Sequence, residues 1–95
     1  MTRIVIKELV WDEKNLQHIK KHNVSKEEAE TGKIILYHKK TYSGRYLAVS
    51  RVGSRLISLV LRRKDTGKYY LITARDASRK ERRKVYEIEK KEQHS

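Results

Sequence analysis

The sequence predicts an α+β domain: an antiparallel β-sheet with two N-terminal helices and a C-terminal helix packed on one of its faces. Two observations predict this class. Helix-capping residues precede three segments, and strand-like segments joined by short polar turns separate the second from the third. The resulting order of one strand, two helices, four strands and one helix favours helices on an antiparallel sheet. A chain of 95 residues has room for one core, so we expect a single domain over residues 1–95.

The N-terminal elements begin with a strand over residues 3–10, where β-branched and charged residues are mixed. Asp12 is suited to cap a helix that runs to about His22, and Asn23 is suited to end it in a left-handed conformation. The apolar stripe of this helix holds only two residues, Leu16 and Ile19. Three polar residues border that stripe: Asn15, His18 and His22.

A second helix follows directly. Ser25 stands three residues before Glu28, a spacing at which each side chain caps the backbone N–H of the other. We expect this helix to end near Gly32. The apolar residues 34–37 then predict a strand, and the polar residues 38–44 predict a loop.

Three more strands are expected in the middle of the chain. Residues 45–52 and 55–63 form a hairpin around Gly53-Ser54, a dipeptide suited to a tight two-residue turn. A second reversal over residues 64–67 leads into the last strand, residues 68–75.

These two turns decide which residues share a face of the sheet. The first places Val49 opposite Ser58, and the second, if it uses four residues, places Leu56 opposite Arg75. One face is then almost wholly apolar and is expected to bury the helices: Tyr46, Ala48, Ile57, Leu59, Leu61, Tyr70, Ile72 and Ala74. The other face is half polar and carries Arg51, Arg62 and Arg75. We expect this second face to be the working surface.

The C-terminal helix opens with another capping box, Ser78 to Glu81. Only Val85 and Ile88 mark its apolar side, which gives little area for docking. Its other side is basic and carries one aromatic ring: Arg79, Arg82, Arg83, Tyr86 and Lys90.

The positive charge is concentrated in the middle of the chain. The net charge is +12, from 24 Lys and Arg against 12 Asp and Glu. Residues 39–68 hold nine of these basic residues and one acidic residue, so eight of the twelve excess charges lie there. Such a block favours a polyanion or an acidic protein as partner, although a solvated basic surface has the same composition.

Metal binding by the two histidines is disfavoured. His18 and His22 have the i, i+4 spacing of a helical zinc site, but the zincin motif needs Glu directly after the first histidine, where Ile19 stands. No third ligand is evident, and Lys20 and Lys21 repel cations. We therefore expect no metal and no other cofactor.

Other chemistries lack their parts. The chain has no Cys, no serine in a nucleophile-elbow pattern, no paired carboxylates in the basic region and no glycine-rich phosphate loop. What remains is Arg, Lys, His and Tyr, which can handle a phosphodiester without metal. RNA supplies its own nucleophile in the 2′-hydroxyl, so these residues favour RNA cleavage, and any RNA-binding domain would hold the same types.

Two long segments, in this order, carry a resemblance to a known family. WDEKNLQHIKKHNVSKEEAE, followed by a basic sheet and then by ITARDASRKERRKVYE, resembles the BrnT toxins of type II toxin–antitoxin systems over nearly the whole chain. The resemblance implies a fold similar to RelE-type ribonucleases and RNA cleavage without a metal. It also implies neutralisation by a BrnA-like antitoxin that binds DNA.

The family's motifs match individual positions. Its Lys-His step matches Lys21-His22, its strand-ending Ala-Arg matches Ala74-Arg75, and the basic opening of its last helix matches residues 79–83, with Tyr86 in the same run. Asn23 stands where the family often has Gly. We expect a catalytic group and an RNA-binding group: catalytic residues Arg75, His22, Tyr86 and Arg51; RNA-binding residues Lys21, Arg62, Arg79, Arg82 and Arg83.

Roles follow from residue chemistry. Arg75 and Arg51 are expected to stabilise transition-state charge, His22 to transfer a proton and Tyr86 to orient the substrate. The alternatives are a non-catalytic nucleic-acid-binding module and a protein-interaction domain with incidental charge. The lack of Cys and of an apolar run of roughly 18 residues leads us to expect a cytoplasmic protein without a membrane span.

Overall fold

The computed structural model describes residues 4–93 and confirms the α+β class. The five strands of this part of the chain are β1 (Glu8–Val10), β2 (Tyr37–Lys40), β3 (Arg45–Val52), β4 (Arg55–Asp65) and β5 (Lys68–Asp76). Its α-helices are α1 (Glu13–Lys21), α2 (Lys26–Thr31) and α3 (Arg79–Gln93), and a 3-10 turn spans Tyr42–Gly44. The first strand is shorter than predicted, and residue 3 of that prediction lies outside the described residues.

The local capping signals were predicted correctly. Asp12 and Asn15 cap each other at the start of α1, with both N–H to oxygen distances at 2.9 Å. Ser25 and Glu28 do the same for α2 at 3.0 Å. Asn23 has a φ of 58°, the left-handed conformation expected after α1. These signals depend on neighbours within four residues, which the sequence displays directly.

The buried side of α1 differs from the prediction. Ile19 is buried, but Leu16 is exposed, so the two do not form a buried stripe. Asn15 is buried instead, and its side-chain amide donates to the carbonyl oxygen of Val10 at 2.9 Å. An amide satisfied in this way tolerates a buried position.

The prediction for β2 was wrong by three residues. The strand spans Tyr37–Lys40, so all of it except Tyr37 lies in the segment predicted as a loop, and Ile34 is exposed rather than part of a strand. Pairing with β3 decides the boundary, because Tyr37 lies opposite Val49 and Lys40 lies opposite Tyr46. The polar residues at this sheet edge can face solvent, so their composition does not prevent strand formation.

The sheet has the order β1-β5-β4-β3-β2. We predicted a wholly antiparallel sheet, but β1 pairs with β5 in parallel. The β3–β4 hairpin has the predicted register, with Val49 opposite Ser58 and Arg51 opposite Leu56. Gly53 has a φ of 63° at this turn, a conformation that favours glycine.

The register predicted between β4 and β5 was wrong by two residues. Ser58, not Leu56, lies opposite Arg75, because Asp65 pairs with Lys68 and the turn has two residues instead of four. A bulge follows: Val60 pairs with Thr73 and Leu61 with Leu71, which leaves Ile72 without a partner. The bulge reverses the faces of the residues before it. Tyr69 and Leu71 are therefore buried in the core in place of Tyr70 and Ile72.

The helices lie on both faces of the sheet, not on one. The first face of the sheet consists of Ala48, Ile57, Leu59, Leu61, Leu71 and Ala74, and it shares a core with Ile19 of α1 and Ala29 of α2. The second face is defined by the alternate residues Leu47, Val49, Arg51, Leu56, Ser58, Val60, Arg62 and Arg75. Val85 of α3 packs on this face against Val49 and Leu56. The surface predicted to be free is therefore half covered by α3.

Candidate functional site

Helix α3 divides the second face into a covered half and an open half. Val85 is fully buried against the covered half, and Arg51 donates from Nη2 to both carboxylate oxygens of Glu89 at 2.8 and 2.9 Å. Arg75 pairs with Glu81 at the start of α3. The open half lies next to this pair, which places the candidate site beside the N-terminal end of α3.

The Arg75–Glu81 pair is the most extensively hydrogen-bonded group of the site. Arg75 donates from Nη1 and Nη2 to the two oxygens of Glu81 at 2.9 and 3.0 Å, and from Nη1 to the carbonyl oxygen of Asp76 at 3.1 Å. Glu81 also accepts from the Ser58 hydroxyl at 2.6 Å. The backbone N–H of Ser78 donates to it at 2.8 Å. The guanidinium is thereby fixed in one orientation.

This pair also sets two pKa values. Burial by itself raises the pKa of Glu81, but hydrogen bonds from Arg75, Ser58 and the Ser78 backbone outweigh it and lower that pKa to about 2. The hydrogen bond to Glu81 raises the pKa of Arg75. Both groups therefore remain charged at neutral pH, and Glu81 is a weak base.

The open half of the second face forms a groove of about 380 Å³. Its walls combine two aliphatic residues of the second face with hydroxyl and charged groups: Thr41, Tyr42, Ser43, Arg45, Leu47, Val60, Arg75 and Glu81. Arg62 lies opposite Arg45 on the neighbouring strand, and both side chains are exposed. The groove thus offers cationic groups around an apolar floor.

A short turn, closed by hydrogen bonds, carries an aromatic ring at this groove. The loop between β2 and β3 is closed by two hydrogen bonds to the carbonyl oxygen of Arg45, from the backbone N–H of Thr41 at 2.8 Å and from its hydroxyl at 3.1 Å. Ser43 has a φ of 60°, which L-residues seldom adopt. Tyr42 is 92% exposed on this loop. A large ring so exposed is available to a ligand.

Lys21 and His22 lie on the other side of the sheet. They are at the C-terminal end of α1, which packs on the first face through Ile19, and both side chains are exposed. In the described part of the chain no hydrogen bond or ion pair joins either residue to Arg75. His22 and Arg75, both predicted as catalytic residues, are therefore linked only indirectly.

Arg55 supplies the indirect link. Its Nη1 donates to the carbonyl oxygen of Asn23 at 2.8 Å and to Glu28 at 3.0 Å, and its Nε donates to Asp76 at 2.6 Å. The hydrogen bond that Arg55 donates to Asp76 lowers the pKa of Asp76 and raises the pKa of Arg55. One guanidinium thus fixes the residue after His22 to the residue after Arg75, at the same end of the sheet.

The predicted basic side of α3 faces solvent. Tyr86 is 55% exposed, and the basic residues of this side are exposed as well: Arg79, Arg82, Arg83 and Lys90. The structure therefore places them on the solvent-exposed surface of α3, and none of them lines the groove.

The two histidines contact each other through their rings, whose centroids are 5.5 Å apart. Among the described residues, no group of three or more His, Cys, Asp or Glu side chains is placed to hold a metal ion. None of the helices in residues 4–93 is long and apolar enough to cross a membrane.

Four residues of this region were not predicted from the sequence as parts of the site: Tyr42, Arg45, Arg55 and Glu81. Arg45 could have been found, because the predicted β3–β4 register already places it opposite Arg62. Glu81 was recognised only as a capping residue. Arg55 and Tyr42 act through contacts or exposure that depend on the tertiary arrangement, and no sequence pattern marks them.

The comparison with solved structures found a match that agrees with the fold. No protein-family model and no curated protein matches the sequence. Among solved structures, the chain is similar to the crystal structure of the Brucella abortus ribonuclease toxin BrnT, with a TM-score of 0.56 and 20% sequence identity. The similarity covers 76% of this chain and 97% of that chain. It shows a BrnT-like fold.

Proposed function

We propose that this protein is a metal-independent endoribonuclease toxin of a type II toxin–antitoxin system. The observation that carries the proposal is the open groove of the second face, where Arg75 is fixed by Glu81 among further cationic and hydroxyl groups. The similarity of the fold to that of a ribonuclease toxin supports the same function. The proposal takes residues 1–95 as a single BrnT-like domain.

The reaction that suits these residues is transesterification within RNA. The 2′-hydroxyl oxygen attacks the adjacent phosphorus, the bond from phosphorus to the 5′-oxygen breaks, and a 2′,3′-cyclic phosphate and a 5′-hydroxyl end result. A base removes the proton of the 2′-hydroxyl, and an acid protonates the leaving oxygen. Negative charge that builds on the phosphoryl oxygens needs fixed donors.

Arg75 is suited to supply such donors. A guanidinium has five N–H groups, and the hydrogen bonds to Glu81 and Asp76 use three of them. The Nε–H and one Nη2–H remain for a phosphate. Glu81 therefore acts as a positioning residue for Arg75 in this proposal, and its low pKa makes it unsuited to remove the proton itself.

The other proposed roles have different degrees of geometric support. Arg51 is held by Glu89 under α3, outside the groove lining, so its proposed charge-stabilising role requires that this pair open. His22 is proposed for proton transfer, and it lies near the sheet end fixed by Arg55. Tyr86 is proposed to orient the substrate. Further basic residues are proposed to hold the RNA backbone: Lys21, Arg62, Arg79, Arg82 and Arg83.

A second candidate is a nucleic-acid-binding module without catalysis. One observation favours it: both arginines proposed for transition-state charge, Arg75 and Arg51, are already paired with carboxylates. Pairing of this kind reduces the net charge that each offers to a phosphate. Binding of RNA without cleavage would identify this module.

The test is cleavage of end-labelled RNA by the purified protein in the presence of EDTA. We expect cleavage by the wild type, and a loss of about 100-fold in Arg75→Ala, as for loss of one fixed oxyanion donor. The matched control is Arg63→Ala, which removes an exposed arginine opposite Tyr69 on the first face. Cleavage by folded Arg75→Ala at the wild-type rate would exclude the proposed site.

Arg75→Ala leaves the carboxylate of Glu81 without its cation, which destabilises a protein more than removal of both charges. The double variant Arg75→Ala/Glu81→Gln removes both. It should fold more stably than Arg75→Ala and still cleave RNA about 100-fold more slowly than the wild type. Recovery of cleavage in the double variant would show that the single variant had failed through misfolding.

The proposed partner is a BrnA-like antitoxin that binds DNA. Acidic residues of such a protein would be complementary to Arg51, Arg62, Arg75 and the start of α3, with apolar groups between them. Co-expression of the neighbouring gene's product is expected to suppress toxicity and yield a complex that associates more slowly as salt rises. A neighbouring product that neither binds nor protects would contradict the toxin proposal.

A further inference from the structure

Two arginines lie side by side on neighbouring strands at the open groove, and no carboxylate among the described residues pairs with either of them. Arg45 of β3 lies directly opposite Arg62 of β4, and both side chains are exposed on the second face. Among the described residues, neither forms a salt bridge or a side-chain hydrogen bond. Like charges directly opposite on neighbouring strands destabilise a sheet. This arrangement is favourable once an anion lies between the two guanidinium groups.

The aromatic ring next to this pair is almost fully exposed. Tyr42 is 92% exposed. Elsewhere in the fold, Tyr46 and Tyr69 contact each other edge to face, with their ring centroids 6.1 Å apart. Its loop is short and closed at Arg45 by the two hydrogen bonds from Thr41. A ring held on such a loop loses little conformational entropy when it stacks on a planar ligand.

From these observations we propose that Tyr42, Arg45 and Arg62 form a nucleotide subsite for single-stranded RNA. The ring of Tyr42 stacks on one base, and the two arginines bind the adjacent phosphate. The subsite rests on the proposed function, since Tyr42 and Arg45 line the same groove as Arg75 and Arg62 lies beside it. It adds a residue, Tyr42, that holds the RNA near the scissile bond without taking part in the reaction.

The chemistry favours an unpaired nucleotide over other anions. Both faces of a base in a duplex are covered by its neighbours, so stacking on a protein ring requires an unpaired base. An acidic peptide would neutralise Arg45 and Arg62 but would leave the ring of Tyr42 exposed. The combination of a free aromatic ring and two opposed arginines therefore fits a base with its phosphate.

The test uses a short single-stranded RNA that carries 2-aminopurine, a base whose fluorescence falls when it stacks. Wild-type protein is expected to quench the probe. Tyr42→Ala is expected to raise the Kd for this RNA about tenfold or more and to abolish the quenching. Tyr42→Phe keeps the ring and should behave like the wild type. Ile34→Ala is the control, because it shortens another exposed side chain that does not line the groove.

The arginine pair is tested in the same assay. Arg45→Ala/Arg62→Ala should weaken binding of the RNA, and a duplex of the same sequence should bind without any dependence on Tyr42. Normal affinity and quenching in Tyr42→Ala, together with weaker binding in the double arginine variant, would overturn the subsite and leave RNA binding at the groove intact. Wild-type affinity in all of these variants, with Arg75→Ala also included, would contradict the groove itself and the proposed function.

Discussion

At the scale of single residues, Glu81 has two roles that the sequence shows only in part. Its capping of Ser78 is local and was predicted from the Ser-x-x-Glu spacing. Its pairing with Arg75 and Ser58 depends on three elements that meet only in the folded chain. For the same reason Arg55, which joins Asn23 to Asp76, was not predicted. The sequence thus predicts caps well and predicts long-range partners poorly.

The low pKa of Glu81 makes stability depend on pH. Its pKa of about 2 in the folded protein lies below the ordinary value of 4.5. The stability that the Glu81 carboxylate contributes is therefore fully present above about pH 4.5 and is lost as the pH falls towards 2. The shift corresponds to roughly 3 kcal/mol of the free energy of unfolding.

Urea unfolding at pH 6 and at pH 3 measures this contribution. Other carboxylates of the protein, such as Asp76, also have lowered pKa values and contribute to acid sensitivity. We therefore expect Glu81→Gln to be less stable than the wild type at pH 6 and to lose less stability on acidification. An equal loss in both proteins between the two pH values would show that Glu81 is not stabilised as the structure indicates.

At the scale of secondary-structure elements, the bulge at Ile72 explains the largest error in the predicted sheet. The register of β3 with β4 was predicted correctly because a two-residue turn fixes it. The register of β4 with β5 was predicted wrongly, because the turn is shorter than expected and β5 contains an extra, unpaired residue, Ile72. Tyr69, Tyr70, Leu71 and Ile72 are all apolar or aromatic, so alternation did not reveal which of them faces the core.

The apolar contact of Val85 holds helix α3 more strongly than the exposed Arg51–Glu89 pair does. Val85 is fully buried, whereas both side chains of the Arg51–Glu89 pair are 37% exposed. Exposed ion pairs contribute about 0 to 1 kcal/mol, and truncation of a buried aliphatic residue costs roughly 1 to 3 kcal/mol. The apolar docking area predicted from Val85 and Ile88 is small, and the ion pairs of Glu81 and Glu89 supply further contacts between α3 and the sheet.

These magnitudes give a prediction for α3. Val85→Ala should lower the free energy of unfolding by roughly 1 to 3 kcal/mol and raise amide hydrogen exchange in α3. Arg51→Ala should change it by less than about 1 kcal/mol. If Arg51→Ala proved the more destabilising of the two, the ion pair rather than the apolar contact would be what holds the helix.

At the scale of the whole molecule, the charge favoured a polyanion or an acidic protein as partner but did not give the position of its binding surface. The concentration of basic residues over 39–68 was visible in the sequence. Strand pairing and the placement of α3 decide that Arg45, Arg62 and Arg75 share the open half of one face. Of the predicted site residues, Arg75 lies in that groove and Arg62 beside it, while His22 is on the side of the sheet that α1 covers.

RNA binding should therefore weaken with salt, since arginine contacts to phosphates release condensed counterions. Arg62 and Arg63 are neighbours on β4 that point to opposite faces, which makes them a matched pair. We expect Arg62→Ala to reduce the slope of log affinity against log salt by about one, and Arg63→Ala to leave it unchanged. Equal slopes in the two variants would place the RNA elsewhere on the molecule.

The central claim is that the groove of the second face cleaves RNA through the 2′-hydroxyl of the substrate. The most direct measurement is the chemistry of the product ends after incubation of RNA with the protein in EDTA. We predict 2′,3′-cyclic phosphate and 5′-hydroxyl ends, and no cut where the nucleotide at the cleavage site lacks its 2′-hydroxyl. Cleavage of the 2′-deoxy substrate, or intact RNA after binding to folded wild-type protein, would contradict the claim.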